Sequence, residues 1–276
     1  MRIVEKDGRF LLQGVHCFHL AHTLECGQSF RWQLCEDGFW EGIAAGHFCR
    51  VRQEKTVLIF THTTRRQILD FWIPYFCLDE DYAALCRDFR TDPALARAIR
   101  FAPGIRLLRQ EPWETLCTFI ISQNNHIPRI RGIVGRLCDL FGSRTAPGPA
   151  AFPDPKELSG LQVEDLAPLR CGFRAKYLLD AAQKVSCGAI DFAQLSQMSA
   201  EEARQTLCGI YGVGPKVADC VLLYGLHKTQ VIPMDVWMKR VMAAQYPAGL
   251  PEKFAPYGGI AQQYLFHYAR HHASKP

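Results

Sequence analysis

Lys216 invites a chemical reading because of what surrounds it. It lies in Leu207-Cys208-Gly209-Ile210-Tyr211-Gly212-Val213-Gly214-Pro215-Lys216-Val217-Ala218-Asp219-Cys220. The spacing predicts a helix ending near residue 208, a tight turn built on Gly212 and Gly214, and a second helix opened by Pro215. Glycine admits positive φ and close backbone approach, and proline suits the first helical position, where an N–H would have no intrahelical partner. The N–H groups at such a helix start, backed by the positive end of its dipole, can grip a phosphate without any side chain. A nucleotide-binding P-loop is excluded, since Pro215 separates glycine from lysine and Val217 stands where Ser or Thr is needed. A plain helix–helix turn without a ligand accounts for the two glycines equally well.

The lysine tips that balance. A cation in the first turn of a helix works against the dipole by about 0.3–1 kcal/mol, and a less stable ammonium is what an amine nucleophile requires. Cys220, four residues later, falls on the same helix face. Nineteen residues beyond Lys216, in Ile232-Pro233-Met234-Asp235-Val236-Trp237-Met238, Asp235 precedes a new amphipathic run and reads as a helix N-cap. A carboxylate held by backbone N–H groups stays ionised and can stabilise positive charge, so the capping role and a catalytic one are compatible.

Two kinds of pattern position these residues. Residues 1 to about 62 hold short apolar or alternating runs, among them Arg9-Phe10-Leu11-Leu12, Ser29-Phe30-Arg31-Trp32-Gln33-Leu34 and Val57-Leu58-Ile59-Phe60-Thr61, separated by Lys6-Asp7-Gly8 and Glu36-Asp37-Gly38. These predict an antiparallel sheet. From about residue 64 the apolar spacing becomes helical, through Leu85, Phe89, Leu95 and Ile99, then Leu116, Phe119 and Ile120, then Ile130, Val134, Leu137 and Leu140. Helices are expected at 156–160, 163–168, 174–187, 191–196, 200–208, 215–226, 235–245 and 258–272, with Asp191, Ser199 and Asp235 as N-caps. Gly142 to Pro155, rich in Gly, Pro, Ala and Ser, reads as a loop. The expectation is an α+β chain: a β-rich N-terminal domain over 1–95 and an all-helical domain over 96–276 that contains the hairpin.

The 276 residues are 48% hydrophobic and 21% charged, a globular composition that excludes a disordered chain. A net charge of +5 and a pI of about 8.6 suit a polyanionic partner without demanding one. The twelve cysteines include no C-x-x-C pair, which removes the common zinc-ribbon and thioredoxin readings. Their apolar neighbours, at Cys117, Cys138, Cys208 and Cys220, suggest small reduced core residues. With no apolar signal region at the start and no run of about 20 apolar residues, the expectation is a cytoplasmic protein outside membranes.

Gly-Val-Gly-Pro-Lys-Val-Ala-Asp-Cys followed by Val-Ile-Pro-Met-Asp-Val resembles the helix-hairpin-helix, Gly/Pro-Asp superfamily of DNA glycosylases, and within it the 8-oxoguanine DNA glycosylase branch. The resemblance extends to Cys26-Gly27-Gln28-Ser29-Phe30-Arg31-Trp32, to Phe119-Ile120-Ile121-Ser122-Gln123-Asn124-Asn125-His126-Ile127-Pro128-Arg129-Ile130, to Gly172-Phe173-Arg174-Ala175-Lys176-Tyr177, and to Tyr257-Gly258-Gly259-Ile260-Ala261-Gln262-Gln263-Tyr264-Leu265-Phe266. It implies a bifunctional glycosylase/AP lyase that excises 8-oxoguanine from duplex DNA, preferably opposite cytosine, in base excision repair. It also implies a TATA-binding-protein-like N-terminal domain and a monomer without cofactor or metal, nucleoid-associated in a bacterium or nuclear in a eukaryote.

Roles follow by the same resemblance. Lys216 attacks the anomeric carbon, expels the base and leaves a Schiff base that allows β-elimination, while Asp235 is the acidic partner. The Gly27 carbonyl receives the N7 proton that oxidised guanine has and guanine lacks. Cys220 and Phe266 flank the flipped base, and Gln262 binds its Watson–Crick edge. Asn124 fills the vacated space, Arg129 and Arg174 read the orphaned cytosine, and Phe173 is the aromatic wedge. Gly212, Gly214 and Val217 hold a DNA phosphate. The sequence departs from the branch at Trp237, where eukaryotic members carry histidine, and at Tyr211, Gln123, His126 and Phe173.

Two alternatives stand beside this reading: a glycosylase for another damaged base, and a helix-hairpin-helix DNA-binding module without catalysis, which would need neither Lys216 nor Asp235. The iron–sulfur branch of the superfamily is excluded, because no cysteine follows Cys220. His16, Cys17, His19 and His22 have no recognised metal-ligand spacing. His267 and His271, four apart on the last expected helix, offer a weak zinc pair, but read better with Arg270 and His272 as a polar helix end near DNA phosphates.

Overall fold

Two residues write the first turn. Asp7 (φ 51°) and Gly8 (φ 68°) both take left-handed backbone, the combination that suits the twist of paired strands. They join β1 (Arg2–Lys6) to β2 (Arg9–Gln13) with Lys6 opposite Arg9. The structure, a computed structural model, describes residues 1–144 and 148–272. Among these, β3 (Trp32–Leu34), β4 (Trp40–Ala44), β5 (His47–Glu54) and β6 (Val57–Thr61) complete a six-stranded sheet in the order β1-β2-β6-β5-β4-β3. The β1–β2, β2–β6 and β5–β6 pairs are antiparallel, as the alternating runs predicted. In β5 the buried Cys49 and Val51 alternate with half-exposed neighbours, whereas Leu58, Ile59 and Phe60 of β6 are buried in succession.

The helical two-thirds also follows the spacing. Asp191, Ser199 and Asp235 each accept a backbone N–H at a helix start, and Gly258–His272 forms one unbroken helix. Three local features differ from expectation. A short helix, Leu20–Glu25, interrupts the β-rich segment, capped by the His19 side chain and burying Leu20 and Leu24 one turn apart. The run from Ser29 condenses to the three-residue β3. The helix beginning at Pro215 widens into a π turn over Val221–Gly225. Part of the expected Gly142–Pro155 loop, residues 145–147, lies outside the described residues.

Residue contacts group the chain differently from a division at residue 95. One unit comprises residues 1–41, 49–109 and 229–276; the other comprises 42–48 and 110–228. The C-terminal segment groups with the N-terminal one because the Gly258–His272 helix packs on the Pro93–Phe101 and Val236–Gln245 helices. In this first unit Trp32, Trp72, Tyr75 and Phe76 form an aromatic core, and Trp32 Nε1 donates to Tyr75 Oη at 2.9 Å. Arg106, buried over the Tyr82 ring, gives its donors to the carbonyls of His16, Cys17, Cys77 and Glu80, tying distant segments together without a carboxylate. The second unit is built around the Pro112–Ser122 helix, buried from Thr115 to Ile121 without interruption. It packs on the Ile127–Phe141, Arg174–Ser186 and Pro215–Cys220 helices.

His267 adds a pH dependence to the first unit. It is buried, its Nδ1 has no hydrogen-bond partner, and its ring lies near His22, His271 and Phe101. Burial first, then the charges of His271, His22 and Arg270, lowers its pKa from 6.5 to about 4. The unfolded chain therefore binds a proton below pH 6.5 that the folded chain refuses until about pH 4. Stability should fall by up to about 3 kcal/mol as pH drops through that window. Denaturant midpoints measured from pH 7.5 to 4 should show this slope in the native protein, and His267→Leu should flatten most of it.

Candidate active site

The hairpin has the predicted form. The Ala200–Cys208 helix leads into Gly209-Ile210-Tyr211, Gly212 turns at φ 76°, and Gly214 (φ −99°, ψ 179°) is the extended N-cap of the Pro215–Cys220 helix. Only Gly212 thus uses the left-handed region. A Cβ on it would lie 2.4 Å from the Tyr177 ring, so the turn is pressed flat on the Arg174–Ser186 helix. That helix also fixes the approach: Tyr211 N–H donates to Asp180 Oδ2 at 2.7 Å, and Lys184 Nζ bridges Asp180 and the Gly209 carbonyl. From the preceding helix, Arg204 Nε donates to the buried Asp219 at 2.6 Å. A Cβ on Gly214 would meet nothing within 4 Å, leaving that side of the backbone open. Val217, expected beside the two glycines, is buried, and its N–H donates to the Gly214 carbonyl at 3.0 Å.

Lys216, half-buried in the first turn, has neither a hydrogen bond nor an ion pair among the described residues. Its Nζ sits 5.3 Å from the centroid of Phe119, whose ring stacks nearly parallel on Tyr224 at 5.1 Å. Cys220 is buried on the next turn.

The same unit brings together Asn124, Arg129, Phe173 and Arg174. Gln123 ends the Pro112–Ser122 helix, and Asn124, exposed, takes the left-handed conformation (φ 49°) that asparagine tolerates better than most side chains. His126 then caps the Ile127–Phe141 helix, on whose first turn Arg129 is exposed. Arg174 differs from a freely projecting base reader: it is 3% exposed. Its Nε donates to the Gln123 carbonyl at 2.9 Å, Nη1 to the Cys171 carbonyl at 3.1 Å, and Nη2 to the Gln123 and Asn124 carbonyls. Here the guanidinium braces the loop that carries Asn124, while Phe173 stands 53% exposed beneath it, 4.3 Å from ring centroid to guanidinium carbon.

The first unit holds Gly27, Asp235, Gln262 and Phe266. Gly27 adopts φ 87°, a conformation that glycine takes readily. Its neighbours are anchored by buried amides that sequence reasoning left without a role. Gln263 Nε2 donates to the Cys26 carbonyl at 2.9 Å. Gln28 donates to the Thr23 and Arg106 carbonyls and accepts the Leu108 N–H. Burial pushes the Cys26 thiol up to about 12. The signal for these glutamines was present as polar residues inside otherwise apolar stretches, at Cys26-Gly27-Gln28 and Ala261-Gln262-Gln263-Tyr264-Leu265. Gln262 is 3% exposed, and its buried Oε1 has no partner; such an acceptor is expensive to leave unmet. Phe266 follows one turn later, half-buried. Asp235 accepts the Met238 N–H at 2.8 Å as the N-cap. Trp237, next but one, lies 5.4 Å from the Arg240 guanidinium. His19 and His22 stack at 3.7 Å with both Nδ1 atoms engaged by backbone groups.

Because Gly212 combines a positive φ with the Tyr177 contact, Gly212→Ala should cost more than about 1 kcal/mol of stability. An unchanged unfolding midpoint would show that the turn has room to shift.

The chain is similar to known protein families and solved structures. Residues 11–116 match the model of the 8-oxoguanine DNA glycosylase N-terminal domain, and residues 117–250 match that of the HhH-GPD superfamily of base excision DNA repair proteins. The chain is 34% identical over 261 residues to the N-glycosylase/DNA lyase of Saccharomyces cerevisiae, covering 82% of this chain and 68% of that protein. It superposes on MBOgg1, solved with a low-affinity DNA ligand, with a TM-score of 0.92 and 42% identity over 98% of each chain. The Clostridium acetobutylicum 8-oxoguanine glycosylase/lyase, solved with duplex DNA carrying cytosine opposite 8-oxoG, gives 0.91 and 33% over the same coverage. Among the described residues no helix is long and apolar enough to cross a membrane. With both models matched in order along one chain, and with relatives of this identity, the protein belongs to the 8-oxoguanine DNA glycosylase family of N-glycosylase/DNA lyases.

Proposed function

We propose that this protein excises 8-oxoguanine from duplex DNA, preferably opposite cytosine, and nicks the resulting abasic site in base excision repair, in the cytoplasm of a bacterium or the nucleus of a eukaryote. The observation that carries the proposal is the Lys216 amine. It is half-buried at the start of the hairpin's second helix, without a counter-ion or hydrogen bond, against an aromatic face. A structural lysine is ordinarily paired or solvated at a helix C-terminus; this one is left available.

The chemistry then runs on an amine. Lys216 Nζ bonds to C1′ as the N-glycosidic bond breaks, and the departing base keeps the bonding electrons and takes up a proton. Opening of the sugar gives an iminium, loss of a C2′ proton expels the 3′ phosphate oxygen, and the strand breaks. The Asp235 carboxylate offsets positive charge developing on the sugar. For the base, the unmet acceptor Gln262 Oε1 calls for a donor, and the Watson–Crick edge of a guanine carries N1–H and N2–H donors. The Gly27 carbonyl accepts the N7–H, and Phe266 and Cys220 take the two faces of the ring. On the opposite strand Asn124 enters the gap, Phe173 wedges the stack, and Arg129 with Arg174 donates to cytosine. The hairpin backbone from Gly212 through Val217 approaches a phosphate.

Borohydride should trap a covalent protein–DNA adduct on a duplex with 8-oxoguanine opposite cytosine, and Lys216→Gln should abolish it. An undiminished adduct in that variant would displace Lys216 as the nucleophile. Gly27→Ala should lower excision by about tenfold or more while leaving affinity for undamaged duplex nearly intact. Equal losses in both would remove the carbonyl from discrimination.

A further inference from the structure

Gln262, Phe266 and Arg270 recur at four-residue intervals on the unbroken Gly258–His272 helix. Residues so spaced share one face and step along it by about 6 Å each. The first two carry features expected of base recognition, an unmet amide oxygen and an aromatic ring. The third is a guanidinium, with its central carbon 5.6 Å from the Phe266 centroid. Arg270 is only half-exposed, yet it forms no hydrogen bond or ion pair with any described residue. The other half-buried or buried arginines discussed above behave differently: Arg106, Arg174 and Arg204 all donate to carbonyls or carboxylates.

The electrostatic setting sharpens this. Burial is the leading influence on the Arg270 guanidinium and lowers its pKa, while Cys26 and Asp235 act in the opposite direction. Asp235 is thus close enough to be felt, but it spends a carboxylate oxygen on the Met238 N–H and forms no ion pair with Arg270. A phosphodiester brought near Asp235 would be repelled by it. A planar, permanently charged donor within electrostatic reach of Asp235 offsets that cost and offers two parallel N–H groups to the phosphate oxygens.

We infer that Arg270 is a DNA-binding residue of the site, in which the Gln262–Phe266–Arg270 face takes one nucleotide from base edge to backbone and Arg270 grips a phosphate flanking the extruded base. This rests on the glycosylase reading for its ligand, a duplex with one nucleotide turned out.

The test is a cycle between Arg270 and single phosphates. The duplex carries a tetrahydrofuran abasic analogue opposite cytosine, so that binding is read without excision. A neutral methylphosphonate replaces the linkage on the 5′ or the 3′ side of the analogue. With the native backbone, Arg270→Gln should weaken binding about tenfold or more and reduce the slope of log affinity against log salt by about 0.9. Arg270→Lys, which keeps the charge, should retain most of that slope. One of the two methylphosphonates should weaken the wild-type protein similarly, and in Arg270→Gln it should add little further loss.

Additive losses, or an Arg270→Gln protein that binds like wild type, would overturn the assignment. So would an effect confined to the pH profile of adduct formation, which would make Arg270 a modulator of Asp235 instead. The two readings fail separately. A protein with this cycle but no borohydride adduct on 8-oxoguanine duplex would lose the proposed chemistry and keep the phosphate contact; a protein with the adduct and additive losses would do the reverse.

Discussion

An amine kept from pairing is the constraint on which this structure turns. Lysine readily finds a carboxylate or water, and a partnered ammonium is a poor nucleophile. Lys216 is kept unpaired by its address: the first turn of a helix, behind a glycine bend, over Phe119. Two acidic groups near this hairpin are committed elsewhere. Asp219, three residues on, is committed to Arg204, and Asp180 is committed to Lys184 and the Tyr211 amide. The ion pairs around the hairpin thus position the turn and at the same time deny the lysine a counter-ion.

The second theme is rigidity obtained from buried polar groups bonded to backbone. Arg106, Arg174, Gln28 and Gln263 each place donors on carbonyls of segments remote in the chain. A buried donor that lost its partner would cost about 1–3 kcal/mol, so each such residue holds its loop in one conformation. The loops held are the ones to which site roles are proposed: Cys26-Gly27-Gln28 through the two glutamines, and Gln123-Asn124 through Arg174. For Arg174 this creates a competition. If Arg174 reads cytosine as proposed, it would share its donors between that base and the carbonyls that fix Asn124.

Gln262 and Arg270 show the converse. Both sit where desolvation makes an unmet polar group costly; Gln262 Oε1 has no hydrogen-bond partner, and Arg270 forms no hydrogen bond or ion pair with the described residues. Groups in that condition mark where a ligand is expected to complete the hydrogen bonding.

Much of this was legible in the sequence because it is decided within a few residues. The Asp7-Gly8 turn, the caps at Asp191, Ser199 and Asp235, Pro215 after Gly214, and the run of helices from residue 155 onward all depend on neighbours within one helical turn or one hairpin. The order of the family motifs marked Lys216, Asp235 and Gln262 for the same reason: each motif is contiguous. What the sequence could not decide was which polar residues are spent on structure. Arg174 and Arg270 are both arginines near proposed DNA contacts, but one donates to the Gln123 and Asn124 carbonyls 50 or more residues away, and to the nearby Cys171 carbonyl, while the other bonds to no described carbonyl or carboxylate. Gln262 and Gln263 are adjacent and chemically identical, yet Gln263 bonds to a carbonyl 237 residues distant while Gln262 keeps a buried oxygen unmet. Sequence fixes the donors and acceptors a chain carries; only tertiary packing, by bringing remote backbone within about 3 Å, decides which of them remain for a ligand.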